Sequence, residues 1–504
     1  MNTEKTSVPA YHGAVVDTLV LYDKSPAKSD EILSAQFILP YKNRPFRRVC
    51  QFIFLTVLRN KILIDTVIRE LCARNPKPKT TAILRAAAAE ILSSDLKKHP
   101  KIIHSWVDYA KSELSKSESG FINAVLRRFF PALERLRANP SADAKTLSAV
   151  YSHPLWLVER WLGEFGADKT LEILKNNILP SEVFLRKSPD LEADMLYSKY
   201  GNYLNKSKYP DFFILKPGHW QDVSELLSTR HFYIQDPSTL HAPKLLSPEP
   251  GKTYLDLCAA PGGKSRAIAD IILGRTLSEG SKYPQESLHK TLIVSVDFGA
   301  KRMDTLRENM GKIDFLKSAC VECDLRGTNL SNILVEHKLP ILYDGILLDA
   351  PCSNTGVLRR RPDAKYRLAP EDLAICAKMQ ADILRNAAGF LKPGGKLVYS
   401  TCSIEQCENA EIVENFLKKR SDFSLEKSIT IFPSEQSDGA SASVLKKKFL
   451  KLFQICPIKK YSAIIVPKKN AQSSNEEARF LFSPCAARQS KNAYKICAAI
   501  FCWT

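Results

Sequence analysis

Two cysteines and an aspartate in the second half of the sequence have the types and spacing of a nucleophilic site. Asp349 and Cys352 lie three residues apart in DGILLDAPCSNTGV, and Cys402 lies in KLVYSTCSIEQCEN. A cysteine becomes a nucleophile where positive charge or a helix N-terminus stabilises its thiolate. For any single one of the 13 cysteines, a role as a small buried hydrophobe is the alternative.

A turn of small residues follows the apolar run TYLDL, in the segment LDLCAAPGGKS. Side chains this small let a ligand approach the backbone closely, and the helix that begins near Lys264 would offer N–H groups to a carboxylate. A nucleotide P-loop is the obvious alternative, but it requires glycine where this chain has Cys258. The P-loop interpretation is therefore rejected, and the turn is predicted to hold a different ligand.

Two aspartates follow the next apolar runs along the chain. Asp297 ends TLIVSVD, where a carboxylate can accept hydrogen bonds from both hydroxyls of a ribose. Asp324, in SACVECDLRG, lies where a third strand would end. A single aspartate at a strand end is more often a helix cap or a turn residue. Two of them in register with a glycine-rich turn favour a nucleoside-containing cofactor.

The elements that must position these residues are short apolar runs alternating with amphipathic helices. TYLDL, TLIVSVD, YDGILLD and GKLVYS are rich in Val, Ile, Leu and Tyr. This alternation predicts a doubly wound parallel sheet, which binds ligands at the carboxyl ends of its strands. Adjacent parallel strands would bring Asp349, Cys352 and Cys402 to one edge of the sheet.

The sequence before residue 235 is predicted to form two further regions. Residues 1–138 have apolar residues at helical spacing and indicate an all-α region, and residues 146–234 indicate a small mixed α/β region. The polar segment NPSADAK between them is typical of a linker. Residues 469–504 do not continue the pattern and receive no role.

Composition favours a soluble, cytoplasmic protein that binds nucleic acid. The 504 residues carry a formal net charge of +19, which attracts polyanions, although a surface excess of charge that only improves solubility is the alternative. No signal peptide and no apolar run long enough to span a membrane is seen. Cys320 and Cys323 have zinc-like spacing without further ligands, so no metal is predicted.

Three segments resemble the signature motifs of the NOL/NOP/Sun family of RNA cytosine-5 methyltransferases: LDLCAAPGGKS, LLDAPCSNTGV and YSTCSIEQCEN. GFINAVLRRF is similar to the end of an N-terminal NusB-type domain, and YSHPLWLVERW and YIQDPSTL resemble the entries to the middle and catalytic domains. The resemblance implies a NusB-like RNA-binding domain at 1–138, a middle domain at 146–234 and a Rossmann-like class I methyltransferase domain at 235–468. It also implies a monomer that acts on RNA, most simply small-subunit ribosomal RNA.

The resemblance further implies how the residues divide the chemistry. Cys402 is expected to attack carbon 6 of cytosine, Asp349 to hydrogen-bond the ring edge, and Cys352 to assist removal of the carbon-5 proton. S-adenosylmethionine is the implied cofactor, with Asp297 on its ribose and Asp324 near its adenine. Its remaining expected contacts are Cys258, Ala259, Ala260, Pro261, Gly262, Gly263, Lys264 and Asp349. We also expect Lys264 to steady Asp349 electrostatically.

Some features leave alternatives open. Asn354 replaces the small residue that is usual after Pro-Cys-Ser, and Gln406 replaces a proline; neither is expected to carry chemistry. Arg359, Arg360 and Arg361 are predicted to contact RNA phosphates, with a solvated basic loop as the alternative. A transfer RNA target, a DNA cytosine-5 methyltransferase and a non-catalytic RNA-binding or antitermination protein are the competing functions. DNA enzymes use the Pro-Cys cysteine as nucleophile and lack the second one, so Cys402 argues against DNA.

Overall fold

The computed structural model describes residues 11–38, 44–138, 143–327 and 329–449. The last part of the predicted catalytic domain, residues 450–468, and the tail at 469–504 lie outside the described residues. In the described part of the chain, no helix is long and apolar enough to cross a membrane.

The N-terminal region is built from helices alone. They are α1 (Tyr11–Lys24), α2 (Ser29–Leu33), α3 (Arg44–Leu71), α4 (Pro78–Leu92), α5 (His99–Glu113) and α6 (Lys116–Ala138). The spacing in α6 shows why: Ile122, Val125, Leu126 and Phe129 recur on one side of the helix, and all four are buried. They pack with apolar side chains of α1, α3, α4 and α5 in a single hydrophobic core.

A mixed region with its own small sheet follows. Its elements are α7 (Ala144–Val150), α8 (Leu155–Asn177), β1 (Phe184–Lys187), α9 (Ala193–Tyr200), β2 (Leu204–Lys206), β3 (Phe212–Leu215), α10 (Ser224–Ser228) and β4 (Phe232–Ile234). The four strands are antiparallel in the order β2-β3-β1-β4. Helix α8 is amphipathic and buries Trp161 against the third region.

The third region contains a seven-stranded sheet in the order β10-β11-β9-β8-β5-β6-β7. Its strands are β5 (Thr253–Leu257), β6 (Leu292–Asp297), β7 (Lys317–Glu322), β8 (Tyr343–Asp349), β9 (Leu391–Thr401), β10 (Phe423–Ile431) and β11 (Ala440–Lys447). Its helices are α11 (His241–Leu246), α12 (Gly263–Ser278), α13 (Glu286–Lys290), α14 (Ala300–Gly311), α15 (Leu330–Glu336), α16 (Ala364–Arg367), α17 (Pro370–Ala387) and α18 (Ala410–Lys419).

The predicted fold class is confirmed, with one addition to the sheet. Strands β5 to β9 are parallel to one another, as the alternation of strands and helices predicts. Strands β10 and β11 form an antiparallel hairpin that extends the sheet beyond β9. The sequence analysis does not predict this hairpin, because FSLEKSITI lacks a continuous apolar run: most of its side chains lie away from the core. The hairpin matters because it covers one side of the residues around Cys402.

Candidate active site

The two candidate catalytic cysteines lie side by side at the carboxyl edge of the sheet. Strands β8 and β9 are parallel neighbours, and Asp349 pairs in register with Ser400. Each strand ends there, so the loops that carry Cys352 and Cys402 begin at the same edge. The two sulfur atoms are 3.1 Å apart. Strand pairing thus brings together the three residues that the sequence analysis singled out.

Asp349 is held from two directions. Lys264 Nζ at the start of α12 lies 2.6 Å from Asp349 Oδ2, and the Ser400 hydroxyl donates to Oδ1 over 3.1 Å. Burial disfavours the charge on Lys264, but Asp349 and other nearby negative groups outweigh burial and raise the pKa of Lys264. The lysine therefore stays an ammonium ion, and its ion pair fixes one oxygen of the carboxylate beside the two cysteines.

Cys352 is held as a neutral thiol. The hydrogen bond with Cys402, burial, and the negative charges of Cys402 and Glu408 together raise the pKa of Cys352 well above its ordinary value. Cys402 has a second polar neighbour, because its sulfur lies 3.3 Å from Asn354 Oδ1. Asn354 therefore touches the candidate nucleophile, which the sequence analysis does not expect. Its φ of 64° explains the substitution, since asparagine tolerates the left-handed conformation better than most residues.

A pocket lies beside Cys402, between the edge of the sheet and the β10–β11 hairpin. It has a volume of about 30 Å³ in this structure. Its wall includes Ser238, His241, Lys264, Cys402, Ile429 and Ala442. A molecule bound in this pocket would therefore meet a sulfur atom and an ammonium group in an otherwise mainly apolar space.

A second, open cleft of about 230 Å³ lies where β5, β6 and β7 end. Asp297 and Asp324 line this cleft together with the apolar side chains of Phe298, Leu325 and Met379. Two carboxylates that can accept hydrogen bonds from hydroxyl or amino groups, next to apolar walls for a ring, fit a nucleoside. The described residues therefore fit S-adenosylmethionine by their chemistry.

The acidic residues of this cleft have protein partners of their own. Asp297 forms a two-bond ion pair with Arg302, at 2.7 Å for each bond, although Arg302 is 57% exposed. Asp324 pairs with Arg326 at 2.6 Å. A ribose that bonds Asp297 would therefore share the carboxylate with Arg302 or displace this exposed side chain.

Two backbone amides of the glycine-rich turn have hydrogen-bond acceptors within the protein. The amide of Ala259 donates to Val296 O over 3.0 Å, and the amide of Ala260 donates to Asp297 Oδ2 over 2.8 Å. Cys258 and Gly262 have positive φ angles of 59° and 102°, which bend the chain sharply between β5 and α12. Cys258 lines the open cleft, whereas Lys264 lines the pocket beside Cys402. The two ends of the turn therefore line different cavities.

The prediction that Arg359 contacts RNA is wrong. Its side chain is only 1% exposed, and it donates to Asp438 Oδ1 over 3.0 Å and to two carbonyl groups over 2.8 Å. The Arg360 side chain also forms ion pairs within the protein, with Asp438 and, over 2.6 Å, with Asp236. These arginines join the loop after Cys352 to neighbouring segments. Arg361 is exposed, so its contact with RNA stays a prediction.

The sequence analysis missed two carboxylates close to the nucleophile. Glu405 and Glu408 are three and six residues beyond Cys402, and both are completely buried. Buried carboxylates rarely occur without specific partners. Their partners lie far away in the sequence, which is why the motif alone does not reveal them. Among the residues that the structure describes, no group of His, Cys, Asp or Glu could hold a metal ion.

Two family models match this chain. Residues 243–460 match the model described as 16S rRNA methyltransferase RsmB/F, and residues 15–130 match that of the NusB family. The first covers the seven-stranded sheet, the open cleft and most of the wall of the pocket beside Cys402, and the second covers most of the N-terminal helices.

Relatives align over most of their own length. A probable ribosomal RNA small subunit methyltransferase B of Bacillus subtilis (strain 168) is 29% identical over 437 residues, covering 83% of this chain and 90% of the relative. The ribosomal RNA small subunit methyltransferase B of Cronobacter sakazakii is 31% identical over 384 residues, covering 73% and 81%. The crystal structure of PH0851 has the same fold, with a TM-score of 0.65 and 23% identity over 87% of this chain and 98% of that one. The chain therefore belongs to the RsmB/F family of S-adenosylmethionine-dependent 16S rRNA methyltransferases.

Proposed function

We propose that this protein methylates carbon 5 of a cytosine in small-subunit ribosomal RNA and that Cys402 is the covalent nucleophile. The observation that carries the proposal is the 3.1 Å contact between Cys402 and Cys352, next to Asp349 and Lys264. Carbon 5 of cytosine is a poor nucleophile, so a direct methyl transfer to it needs prior activation. A thiolate that adds to carbon 6 provides that activation.

The chain's own groups perform the steps around the methyl transfer. Cys402 forms a bond to carbon 6 and gives up its proton, and the electron pair of the ring double bond moves through the ring toward the ring nitrogen, which takes up a proton. Asp349 is the proposed carrier of that proton, because it can hydrogen-bond the ring edge there. Bound S-adenosylmethionine supplies an electrophilic methyl group. Cys352, once its own proton has passed to solvent, accepts the proton from carbon 5 as a thiolate. The electron pair of the carbon–hydrogen bond then re-forms the double bond between carbons 5 and 6, and Cys402 leaves as a thiolate. The cytosine ring is proposed to lie next to Cys402 and Lys264, at the pocket that both residues line, and this pocket must widen to admit it.

The contact between the thiols supports an order of events. In the free enzyme, the hydrogen bond with Cys402 is the largest cause of the raised pKa of Cys352, so Cys352 begins as a thiol. Once Cys402 is bonded to cytosine, the effects of Cys402 that raise the pKa of Cys352 are lost, and the pKa of Cys352 falls. Cys352 therefore becomes a competent base only after the adduct has formed. This order keeps the two cysteines from competing for the same carbon.

Replacing each cysteine by alanine in turn tests these roles. Cys402→Ala should abolish methyl transfer and the covalent RNA complex together. Cys352→Ala should still methylate one cytosine but fail to release it, so that a protein–RNA adduct stable in denaturing gels accumulates. If the adduct forms with Cys402→Ala instead, the roles are exchanged and the DNA-type assignment of the nucleophile applies.

The target assignment is supported by charge and by the relatives. The formal net charge of +19 suits a polyanionic substrate, and the relatives from Bacillus subtilis and Cronobacter sakazakii are named as small-subunit ribosomal RNA enzymes. Transfer RNA is the second candidate. Bisulfite sequencing of total RNA from cells with and without the protein tests the target. Loss of a 5-methylcytosine from small-subunit RNA supports the proposal, and loss from transfer RNA alone contradicts it.

A further inference from the structure

The loop after Cys402 contains two buried carboxylates that take no direct part in the proposed chemistry. Glu405 and Glu408 are both 0% exposed. A buried carboxylate costs free energy unless hydrogen bonds or an ion pair compensate for its lost hydration. The two carboxylates have different hydrogen-bond partners. The partners of Glu408 fix the loop that carries Cys352, and those of Glu405 fix the loop that carries Cys402.

Glu408 joins the Cys402 loop to the Cys352 loop. Its Oε1 accepts from the Ser353 amide and from Gln380 Nε2, both over 2.9 Å, and its Oε2 accepts from the Ser353 hydroxyl. Its own carbonyl accepts from the Tyr399 hydroxyl of β9 over 2.6 Å. Ser353 is the residue directly after Cys352. Three donors from two other segments thus fix the chain next to Cys352 relative to the end of β9.

Glu405 joins the Cys402 loop to helix α8. Its Oε2 accepts from Arg160 Nε over 2.6 Å, and its Oε1 accepts from Trp161 Nε1 over 2.9 Å. The next residue, Gln406, donates its amide to Glu164 Oε1 over 2.9 Å. Three side chains of α8 therefore hold the chain that follows Cys402.

From these contacts we propose that Glu408 and Glu405 are positioning residues, Glu408 for the Cys352 thiol and Glu405 for the Cys402 thiol. Neither side chain touches a sulfur atom in the described contacts; each acts through the backbone of its loop. The assignment of steps to each thiol rests on the proposed function above. Buried apolar side chains could stabilise the loops equally well, but hydrogen bonds also fix direction.

The positioning roles matter because the reaction rate depends steeply on where the two thiols lie. The thiols are 3.1 Å apart, and they must reach neighbouring atoms of one cytosine ring. A displacement of about 1 Å from a productive geometry can lower a rate about 100-fold. Replacing a carboxylate by an amide keeps its size but turns one acceptor into a donor, so Glu408→Gln cannot accept from both groups of Ser353 and from Gln380.

The spacing of the thiols can be measured without any assumption about the reaction. Diamide oxidises two adjacent thiols to a disulfide: both sulfurs lose a proton and an electron, and the azo reagent becomes a hydrazine. We expect the full-length wild-type protein to form the Cys352–Cys402 disulfide fastest and Glu408→Gln to form it about 10- to 100-fold more slowly. Peptide mass spectrometry after alkylation of the remaining thiols identifies the linked pair.

The two variants should then differ in kinetics. Glu408→Gln should accumulate the RNA adduct, as Cys352→Ala does, because release is impaired while methyl transfer proceeds. Glu405→Gln should slow adduct formation without accumulation, and Arg160→Met should behave in the same way. Glu90→Gln is the matched control, since Glu90 is a largely buried carboxylate that accepts from Trp106 Nε1 and the Tyr11 hydroxyl in the N-terminal helices. It should lower stability and leave both steps unchanged.

The outcomes separate this proposal from the proposed function. Unchanged disulfide formation in Glu408→Gln, or kinetics of both variants that match Glu90→Gln, would overturn the positioning roles. If disulfide formation slows but Cys352→Ala accumulates no adduct, the proposed function fails and the spacing role of Glu408 stands. If the adduct accumulates with Glu405→Gln rather than Glu408→Gln, the assignment of each carboxylate to its thiol is wrong.

Discussion

The sulfur atoms of Cys352 and Cys402 lie 3.1 Å apart, although 50 residues separate them in the sequence. This contact has an electrostatic consequence as well as a geometric one. Cys402 makes it harder for Cys352 to lose its proton, so Cys352 is held as a neutral thiol. In the proposed mechanism, bonding of Cys402 to cytosine removes this effect and lowers the pKa of Cys352.

Decay of the RNA adduct should accelerate as the pH rises. Burial and the charge of Glu408 continue to raise the pKa of Cys352 after Cys402 is bonded, so the thiolate is the minor form near neutral pH. Below that pKa, the decay rate should rise by about tenfold per pH unit. Isolated adduct can be followed on denaturing gels across a pH series. The residual decay in Cys352→Ala should lack this dependence, and a flat wild-type profile would show that Cys352 is not the base.

Asp297→Asn should weaken the binding of S-adenosylhomocysteine. Loss of a partly buried pair of hydrogen bonds costs on the order of 2 to 3 kcal/mol, or about 30- to 150-fold in affinity. Arg302→Met is the control, because it removes the ion pair with Asp297 but keeps the carboxylate that the ribose needs. It should weaken binding much less than Asp297→Asn does. Calorimetry measures both. Unchanged affinity in Asp297→Asn would mean that this carboxylate serves only to hold the turn through Ala260 and Arg302.

Arg359 and Arg361 should have opposite phenotypes. Arg359→Met leaves the buried Asp438 with one fewer partner and should destabilise the fold by about 3 to 5 kcal/mol. Arg361→Met should leave stability unchanged, weaken RNA binding and reduce the salt dependence of binding by about one charge. Thermal unfolding and RNA affinity across a salt series distinguish the two. A weaker salt dependence in Arg359→Met with unchanged stability would contradict the buried placement of that arginine.

Asp256 should lower stability at alkaline pH. It is completely buried in β5, and burial raises its pKa to about 7. The hydrogen bond from the Ser265 hydroxyl opposes this increase only in part. The folded state therefore binds a proton more tightly than the unfolded chain, so stability falls as the pH rises from about 4 to 7. The free energy of unfolding of Asp256→Asn should exceed that of wild type by on the order of 2 to 4 kcal/mol at pH 8. At pH 4 the two proteins should be about equally stable.

Asp344 provides a control of opposite sign for this experiment. Although it is partly buried, hydrogen bonds from Thr253 and the Lys392 ammonium hold the pKa of Asp344 below its ordinary value. Asp344→Asn should therefore destabilise the protein at neutral pH, and this loss should shrink as the pH falls. Chemical unfolding at several pH values measures both variants. Parallel pH profiles for Asp256→Asn and wild type would show that folding does not shift the pKa of Asp256.

The sequence determines the local parts of this protein. Apolar runs separated by helix-length segments predict β5 to β9 and the edge at which their ends meet, because strand and helix periods depend only on neighbouring residues. The motifs around Cys258, Asp349, Cys352 and Cys402 are also local, and they identify the family that the comparisons show. The resemblance in the first 138 residues likewise agrees with the NusB match.

Only the tertiary structure decides which charged residues are buried and what they touch. Arg359 and Arg361 stand in the same basic run, yet one is enclosed by Asp438 and two carbonyl groups while the other is exposed. Glu405 meets Arg160 across 245 residues of sequence, a pairing that depends on how helix α8 packs against the catalytic loop. Periodicity encodes neighbours along the chain, whereas the cost of burying a charge is settled only by partners that folding brings from elsewhere.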